Sequence, residues 1–127
     1  MAGIARLKRR AEFLRVANAR RKAVTPGLIL QAVKRPKETA AMPKAETDDA
    51  PRVGFTASRK VGIAVARNRA RRRLRAAASE VLPRHAAPGH DYVVIARQHT
   101  LTRPFPALIG DFEAALKQLG VWRGSDG

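Results

Sequence analysis

Three short segments of the chain have the hydrophobic pattern of β-strands. Residues 52–58 alternate between apolar and polar side chains, which is the period of a strand with one buried face. Residues 28–33 form a short apolar run bounded by turn residues, and residues 91–97 form an almost continuous apolar run. We predict a strand in each segment, and we expect the last one to be buried on both faces.

Three other segments have helical spacing. Residues 6–20 predict a short basic helix with a thin apolar face. Residues 66–80 predict a second helix, which Pro83 ends. Thr102 and Pro104 open a predicted third helix, which continues to residue 119 and which Gly120 ends. The second helix has one narrow stripe of small and apolar side chains, suited to lying close against a sheet: Ala66, Ala70, Leu74, Ala77 and Val81.

The predicted order is helix, strand, strand, helix, strand, helix, which indicates an α/β fold with helices packed on one small mixed sheet. The strand–helix–strand unit from Val53 to Ala96 is expected to make the last strand parallel to the second. Residues 34–51 contain three prolines and four of the ten acids, so they predict a mobile loop that joins two paired strands. The whole chain, residues 1–127, is expected to form a single domain with a peripheral tail at residues 121–127.

The charge of the chain is strongly positive, because 26 lysines and arginines face 10 acids and give a formal net charge of +16. This imbalance indicates nucleic acid or an anionic membrane surface as the partner. The membrane is the weaker candidate, since no basic segment has a large aromatic or leucine face on its other side. The first residues lack the apolar segment of a secretory signal, and the chain contains no cysteine. We therefore expect a cytoplasmic protein with no membrane partner.

The cations are densest between residues 59 and 75, where no acid occurs. A solvated helix face normally mixes both charges so that neighbouring pairs offset repulsion, but here the first acid is Glu80. A polyanion would relieve this repulsion, and rigidly held guanidinium groups donate in pairs to phosphate oxygens. We therefore predict a phosphate-binding helix, and its candidate residues are Arg59, Lys60, Arg67, Asn68, Arg69, Arg71, Arg72, Arg73 and Arg75.

A second block of cations accompanies the first predicted helix, with eleven cations between Arg6 and Lys37 against Glu12 as the one acid. If this helix packs beside the sheet, a groove lies between them. Phe13 would then stack on a nucleobase and contribute about 1–3 kcal/mol. The alternative for Phe13, and more strongly for Phe55, is packing in the hydrophobic core.

The residues carry no visible catalytic apparatus. A protein nuclease needs a carboxylate cluster for metal ions or a histidine pair for acid–base chemistry. The one local group of acids, Glu46, Asp48 and Asp49, lies in the predicted loop, where nothing fixes its geometry, and the three histidines lack metal-ligand spacing. We predict no catalytic residue and no metal site on the protein, so its function is binding.

The segment RVGFTASRKVGIAVARNRARRRLR resembles the central motif of the bacterial ribonuclease P protein family. That motif is Arg-Asn-Arg, here Arg67-Asn68-Arg69, and it follows a segment that here is Lys60–Val65. The early RLKRRAEF and the later DYVVIAR are similar to the same family. The resemblance therefore spans residues 6–119.

The resemblance implies an α/β sandwich in which the basic helix makes a left-handed strand–helix–strand crossover, against the usual handedness. It also implies the accessory protein of an endoribonuclease whose catalytic RNA removes the 5′ leader of precursor tRNA. Mg²⁺ would be held mainly by the RNA, and no obligate protein partner is implied. The basic helix would contact the catalytic RNA, and the leader would lie in a cleft between the first helix and the sheet. The implied cleft residues are Phe13, Arg6, Lys8, Arg9, Arg10, Phe55 and Arg52.

Three residues depart from the usual pattern of that family. Ala17 and Gln31 stand where aromatic residues are common, and Ile63 stands where Asn is common. Stacking in the cleft is then expected to depend mainly on Phe13. The chief alternative function is a structural RNA-binding protein of ribosomal type with no part in catalysis. A stand-alone nuclease is disfavoured because the sequence lacks a suitable carboxylate cluster.

Overall fold

The computed structural model describes residues 4–35 and 50–124, and one five-stranded sheet with helices on both faces forms its centre. The elements are β1 (Ala5–Arg6), α1 (Arg10–Asn18), β2 (Lys22–Val24), β3 (Leu28–Lys34), β4 (Arg52–Thr56), α2 (Ala64–His85), β5 (His90–Ala96) and α3 (Phe105–Gln118). The predicted α/β class is confirmed. The structure adds the edge strands β1 and β2, which have two and three residues and are too short for a hydrophobic period.

The strand order is β1-β4-β5-β3-β2, with β5 at the centre. β4 and β5 are parallel, as predicted, and α2 connects them. The prediction that the strands on either side of the 34–51 loop pair with each other is wrong, because β5 lies between β3 and β4 and pairs with both. β5 takes this place because its side chains are mostly apolar on both faces. Residues 36–49 of that loop lie outside the described residues, and the handedness of the crossover stays a prediction.

Alternate residues of the sheet face α2 and α3 and form the main core. Val53, Tyr92 and Val94 are fully buried there, against Leu74 of α2 and Phe112 of α3. The stripe predicted for the basic helix is confirmed, since four of its five residues are buried and the fifth is half-buried. Because these side chains are small, α2 can lie close to the sheet and hold its outward side chains on a rigid support.

The residues immediately before α1 belong to the sheet, although the sequence predicts a helix from Arg6. Ala5–Arg6 pairs in parallel with β4, and α1 begins at Arg10. The Glu12 carboxylate closes the first turn, since its Oε1 accepts hydrogen bonds from the backbone N–H of Lys8 at 2.8 Å and of Arg9 at 2.9 Å. This local contact fixes the start of the helix.

Two predictions at the C-terminal ends of elements are wrong. α2 does not end at Pro83 but continues to His85, because Leu82 is buried in the core and a proline this close to the end removes only one backbone donor. The predicted tail also begins too early. Val121 is buried, and half-buried Trp122 forms a β-bridge with the residue after α2.

Candidate nucleic-acid interface

Three arginines form ion pairs with one buried carboxylate where α1 packs on the sheet. The side chain of Asp91, at the start of β5, is fully buried. It accepts hydrogen bonds from Arg52 at 2.8 and 2.7 Å and from Arg35 at 2.8 Å. Arg15 of α1 makes a further ion pair with it. Burial raises the pKa of Asp91, but the hydrogen bonds from Arg52 and Arg35 outweigh burial and hold the pKa below its ordinary value.

The resemblance implied that Arg52 belongs to the cleft. Its hydrogen bonds to Asp91 show instead that Arg52 is a structural cation. Besides Asp91, it contacts Glu12 of α1 through a 2.8 Å ion pair, so it joins α1 to the central strand. The pKa of Arg52 is raised chiefly by its hydrogen bond to Asp91. Backbone hydrogen bonds from Arg9 and Lys8 lower the pKa of Glu12. The charge of Arg52 is thus compensated within the protein.

Phe13 is the aromatic side chain that α1 places against the sheet. It is half-buried and lies over Gly54 of β4, and it packs beside a small cluster formed by Leu7, Val16 and Val93. A Cβ atom at position 54 would lie 2.3 Å from Cε1 of Phe13. Only a glycine therefore leaves room for the ring at this distance from the strand.

Phe55 and Arg6 lie on the opposite face of the sheet, so their assignment to the cleft is wrong. Successive side chains of a strand point to opposite faces, and Gly54 faces α1. Phe55 consequently points into the core beneath α2 and is only 9% exposed. The Arg6 guanidinium lies 5.7 Å from the centroid of the Phe55 ring. The alternative of core packing, stated above for Phe55, is the correct one.

The other cations assigned to the cleft lie together at the start of α1. Lys8, Arg9 and Arg10 are all exposed. None of the three makes an ion pair within the described parts of the chain, 4–35 and 50–124. These three cations directly follow Leu7, which is buried in the small cluster with Val16 and Val93. The segment is therefore anchored by Leu7 while its cations face solvent.

Beyond α1, the same face of the sheet is open. Ile29 and Ile95 are paired across β3 and β5, and both are half-buried, as are Gln31 and Thr56. We call this surface, from Phe13 across these four residues, the cleft. It leads into a depression of about 530 Å³ lined by Ile29, Ser58, Lys60, Val61, Ile95, Ala96, Arg97, Gln98 and His99.

Among the residues that line this depression, the sequence predicted a binding role for Lys60 alone. The signal was present in β3, where Ile29 and Gln31 alternate with the buried Leu28 and Leu30. The sequence predicts a strand there from the short apolar run and its flanking turn residues, without separating the two faces of that strand. Gln98 lines the depression and donates a hydrogen bond to the carbonyl oxygen of Lys60 at 3.0 Å, but no pattern in the sequence relates these two residues.

The outer surface of α2, together with the turn before it, carries most of the predicted RNA-binding residues. Arg59, Lys60, Asn68, Arg69 and Arg72 are exposed. Three further arginines are half-buried on the flanks of the helix, and one of them, at position 71, donates a hydrogen bond to the side chain of Asn68. We call this surface the arginine face, and it consists of Arg59, Lys60, Arg67, Asn68, Arg69, Arg71, Arg72 and Arg75.

Arg73 differs from Arg71, which bonds to a side chain of its own helix, because the Arg73 guanidinium donates to backbone carbonyl groups outside α2. Its Nε donates to the carbonyl oxygen of Thr100 at 2.8 Å, and its Nη2 donates to that of Arg103. These bonds tie α2 to the loop between β5 and α3. Arg73 therefore supports the helix and is not part of the arginine face.

The ion pairs of the fold leave the arginine face untouched. Glu12, Asp91 and Asp111 pair with Arg15, Arg35, Arg52 and Arg103, all of which lie outside that face. No ion pair involves the arginine face among the residues that the structure describes. A row of cations on a rigid helix, without internal compensation, attracts an extended polyanion.

The described residues contain neither a metal-ligand cluster nor a membrane-spanning helix. No group of three or more histidine, aspartate or glutamate side chains with the geometry for a metal ion occurs in residues 4–35 and 50–124. Within the same residues, no helix has both the length and the apolar character that crossing a membrane requires.

The chain is similar in sequence to proteins of a single family. The sequence profile of the family described as Ribonuclease P matches residues 1–120. The ribonuclease P protein component of Paramagnetospirillum magneticum is 55% identical over 123 residues, covering 94% of this chain and 86% of the relative. That of Gluconacetobacter diazotrophicus is 46% identical over 121 residues, covering 95% of both chains.

Solved structures agree with the sequence comparison. The RNase P protein of Staphylococcus aureus superposes with a TM-score of 0.70 at 25% identity, covering 93% of this chain and 97% of that chain. The RNase P protein of Thermotoga maritima has a TM-score of 0.65 at 22% identity, covering 90% and 94%, and supports the fold alone.

Proposed function

Because the chain belongs to the ribonuclease P protein family, we propose that its arginine face and its cleft hold two different RNAs of one enzyme. Ribonuclease P is an endoribonuclease of tRNA processing, and this chain is the accessory protein subunit of that RNA-based enzyme. The arginine face lies on α2 and the turn before it, and the cleft lies on the α1 side of the sheet, so two RNAs bound there would approach each other near Lys60, which also lines the depression.

The arginine face binds the catalytic RNA in this proposal. From Arg67 onward its cations stand on a helix that the core holds rigidly through Leu74 and its neighbours. The planar fork of arginine donates in pairs to phosphate oxygens, and because the fork is pre-organised, less side-chain entropy is lost per hydrogen bond formed. Contacts of this kind position an RNA without reading its sequence.

The cleft holds the 5′ leader of precursor tRNA. Phe13 supplies one ring for stacking, Lys8, Arg9 and Arg10 supply charge for the backbone, and the open sheet surface supplies an apolar floor. An unpaired strand suits such a site, because its bases are free to stack while its phosphates follow the cations. We expect this binding to tolerate many leader sequences, since only Gln31 and Thr56 on the floor offer hydrogen bonds to base edges.

The chemistry of the cut belongs to the RNA in this proposal. We expect Mg²⁺ bound by the catalytic RNA to supply the activation of water and the stabilisation of charge. The residues of the protein bind and orient the two RNAs, and their cations lower the repulsion between two polyanions brought together. No protein partner and no membrane are part of the proposed assembly.

The observation that carries the proposal is the arginine face without an acid partner in the described residues. The test is reconstitution of the protein with its cognate catalytic RNA and a precursor tRNA at low magnesium. Cleavage is expected with both components and is not expected with protein alone. Cleavage by protein alone would indicate a stand-alone nuclease, and an RNA-catalysed rate that is unaffected by the protein would indicate a purely structural RNA-binding role.

A further inference from the structure

Two large apolar side chains stand exposed at the start of the arginine face. Ile63 is 75% exposed and Val65 is 73% exposed, whereas the next most exposed large apolar residues, Val24 and Leu14, are 48% and 46% exposed. These values concern the residues described, 4–35 and 50–124. Ile63 is the N-cap residue of α2, and Val65 lies in its first turn.

The fold itself does not account for either side chain. At about 100° per residue, Val65 lies on the side of α2 opposite to Leu74, which is fully buried against the sheet. Ile63 occupies a position where serine, threonine, aspartate or asparagine would stabilise the helix, and it makes no side-chain capping hydrogen bond. Both residues therefore expose apolar surface without contributing to the core or to the helix terminus.

The surroundings of the pair restrict what can cover it. Arg59, Lys60, Arg67 and Arg69 flank it in the chain, and no acid lies between Arg52 and Glu80. An apolar protein surface would have to desolvate these cations, and a bilayer would need a much larger apolar face than two side chains. An RNA avoids both problems, because its phosphates can pair with the cations while an unpaired nucleobase offers a flat apolar surface to the two side chains.

We propose that Ile63 and Val65 pack against an unpaired nucleobase of the catalytic RNA. The inference rests on the proposed function, since it extends the arginine face that holds this RNA. The cations give the contact its long-range attraction and its salt dependence. The apolar pair adds a component that salt does not screen, and it selects an RNA site at which a base is turned out of its stack.

The experiment compares the double variant Ile63→Ser/Val65→Ser with the double variant Leu14→Ser/Val24→Ser. Affinity for the cognate catalytic RNA is measured by filter binding at several salt concentrations. The first variant is expected to bind about tenfold more weakly at every salt concentration, with an unchanged slope of log K against log salt, because it loses apolar contact but no charge. The control variant is expected to bind like the unaltered protein.

Two further readouts keep the result interpretable. Serine at the N-cap is expected to preserve or raise the melting temperature, so affinity and stability should move independently. Base-specific chemical probing of the RNA should reveal an unpaired base that the unaltered protein protects and the Ile63→Ser/Val65→Ser variant leaves reactive. Unchanged affinity, or a loss confined to precursor tRNA, would overturn the inference.

The variant Arg67→Ala/Arg69→Ala separates this inference from the proposed function. A smaller salt slope for that variant, together with full affinity of the Ile63→Ser/Val65→Ser variant, would reject the nucleobase contact and leave the arginine face intact. An unchanged salt slope for Arg67→Ala/Arg69→Ala would reject the arginine face itself.

Discussion

Phe13 and Gly54 are in direct contact across the space between α1 and β4, with no room for a side chain at position 54. A Cβ atom there would lie 2.3 Å from Cε1 and 2.4 Å from Cζ of the Phe13 ring. The contact sets the height of α1 above the sheet at the edge of the cleft. It links the stability of the fold to the geometry of the proposed leader site.

The variant Gly54→Ala is expected to lower the free energy of unfolding by about 1–3 kcal/mol, because the ring of Phe13 must move to admit the methyl group. Urea denaturation measures the change. Gly110→Ala is the matched control, since a Cβ atom there meets nothing within 4 Å and a helical alanine is favourable. Removing the ring as well, in Gly54→Ala/Phe13→Ala, should cost less than the sum of the single changes; strict additivity would contradict the contact.

Replacement of Phe13 by alanine tests the cleft as the site of the leader. The variant is expected to weaken binding of leader-bearing precursor tRNA about tenfold and to affect mature tRNA much less, because stacking on a base contributes about 1–3 kcal/mol. Leu14→Ala changes an exposed neighbour on the same helix and serves as the control. Equal losses for precursor and mature tRNA would exclude Phe13 from leader recognition.

The faces of β4 illustrate how far the sequence could predict the site. The alternation of Val53 and Phe55 with Gly54 was sufficient to separate two faces, but not to say which face receives α1. That choice depends on packing partners far away in the chain, such as Phe13 over Gly54. The arginine face was predictable because all its members lie in one segment.

The role of Arg52 could not be predicted for a different reason. Arg52 and Asp91 are direct partners in the β4–β5 register, although 39 positions separate them in the chain. Their pairing depends on which strand occupies the centre of the sheet, and the hydrophobic pattern alone suggested a different neighbour for β4. The family resemblance identified the function but not this ion pair, because no pattern in this single sequence relates the two positions.

Asp91→Asn is expected to destabilise the protein by about 3 kcal/mol, since it leaves Arg15, Arg35 and Arg52 without their shared buried anion. Thermal or urea unfolding measures the loss. Glu80→Gln, at an exposed position of α2, provides a control of equal charge change and is expected to have little effect. A similar stability for both variants would show that the three arginines do not depend on Asp91.

The same carboxylates predict the response of stability to acid. The pKa of Asp91 and the pKa of Glu12 are lower in the folded protein than their ordinary values of 3.8 and 4.5. Their contribution is therefore complete above those ordinary values and is lost as the pH falls below them through the folded pKa. Unfolding free energy should decrease with acid below about pH 4.5, and it should decrease less steeply in Asp91→Asn. If the unfolding free energy fell equally steeply with pH in both proteins, Asp91 would not be a source of the acid sensitivity.

Arg72 and Arg73 are neighbours in α2 with opposite expected roles, so they form a matched pair. Arg72 is exposed on the arginine face, whereas Arg73 donates to the carbonyl oxygens of Thr100 and Arg103. Arg72→Ala should reduce the slope of log K against log salt for the catalytic RNA by about 1 and leave the melting temperature unchanged.

Arg73→Ala should instead lower the free energy of unfolding by about 1–3 kcal/mol, because two half-buried carbonyl groups lose a charged donor. Its salt slope should stay close to that of the unaltered protein, provided that binding is measured well below the melting temperature. Both variants remove one positive charge from the same helix, so net charge cannot explain a difference between them. If Arg73→Ala reduced the salt slope as much as Arg72→Ala did, the separation between a supporting and an RNA-binding arginine would be wrong.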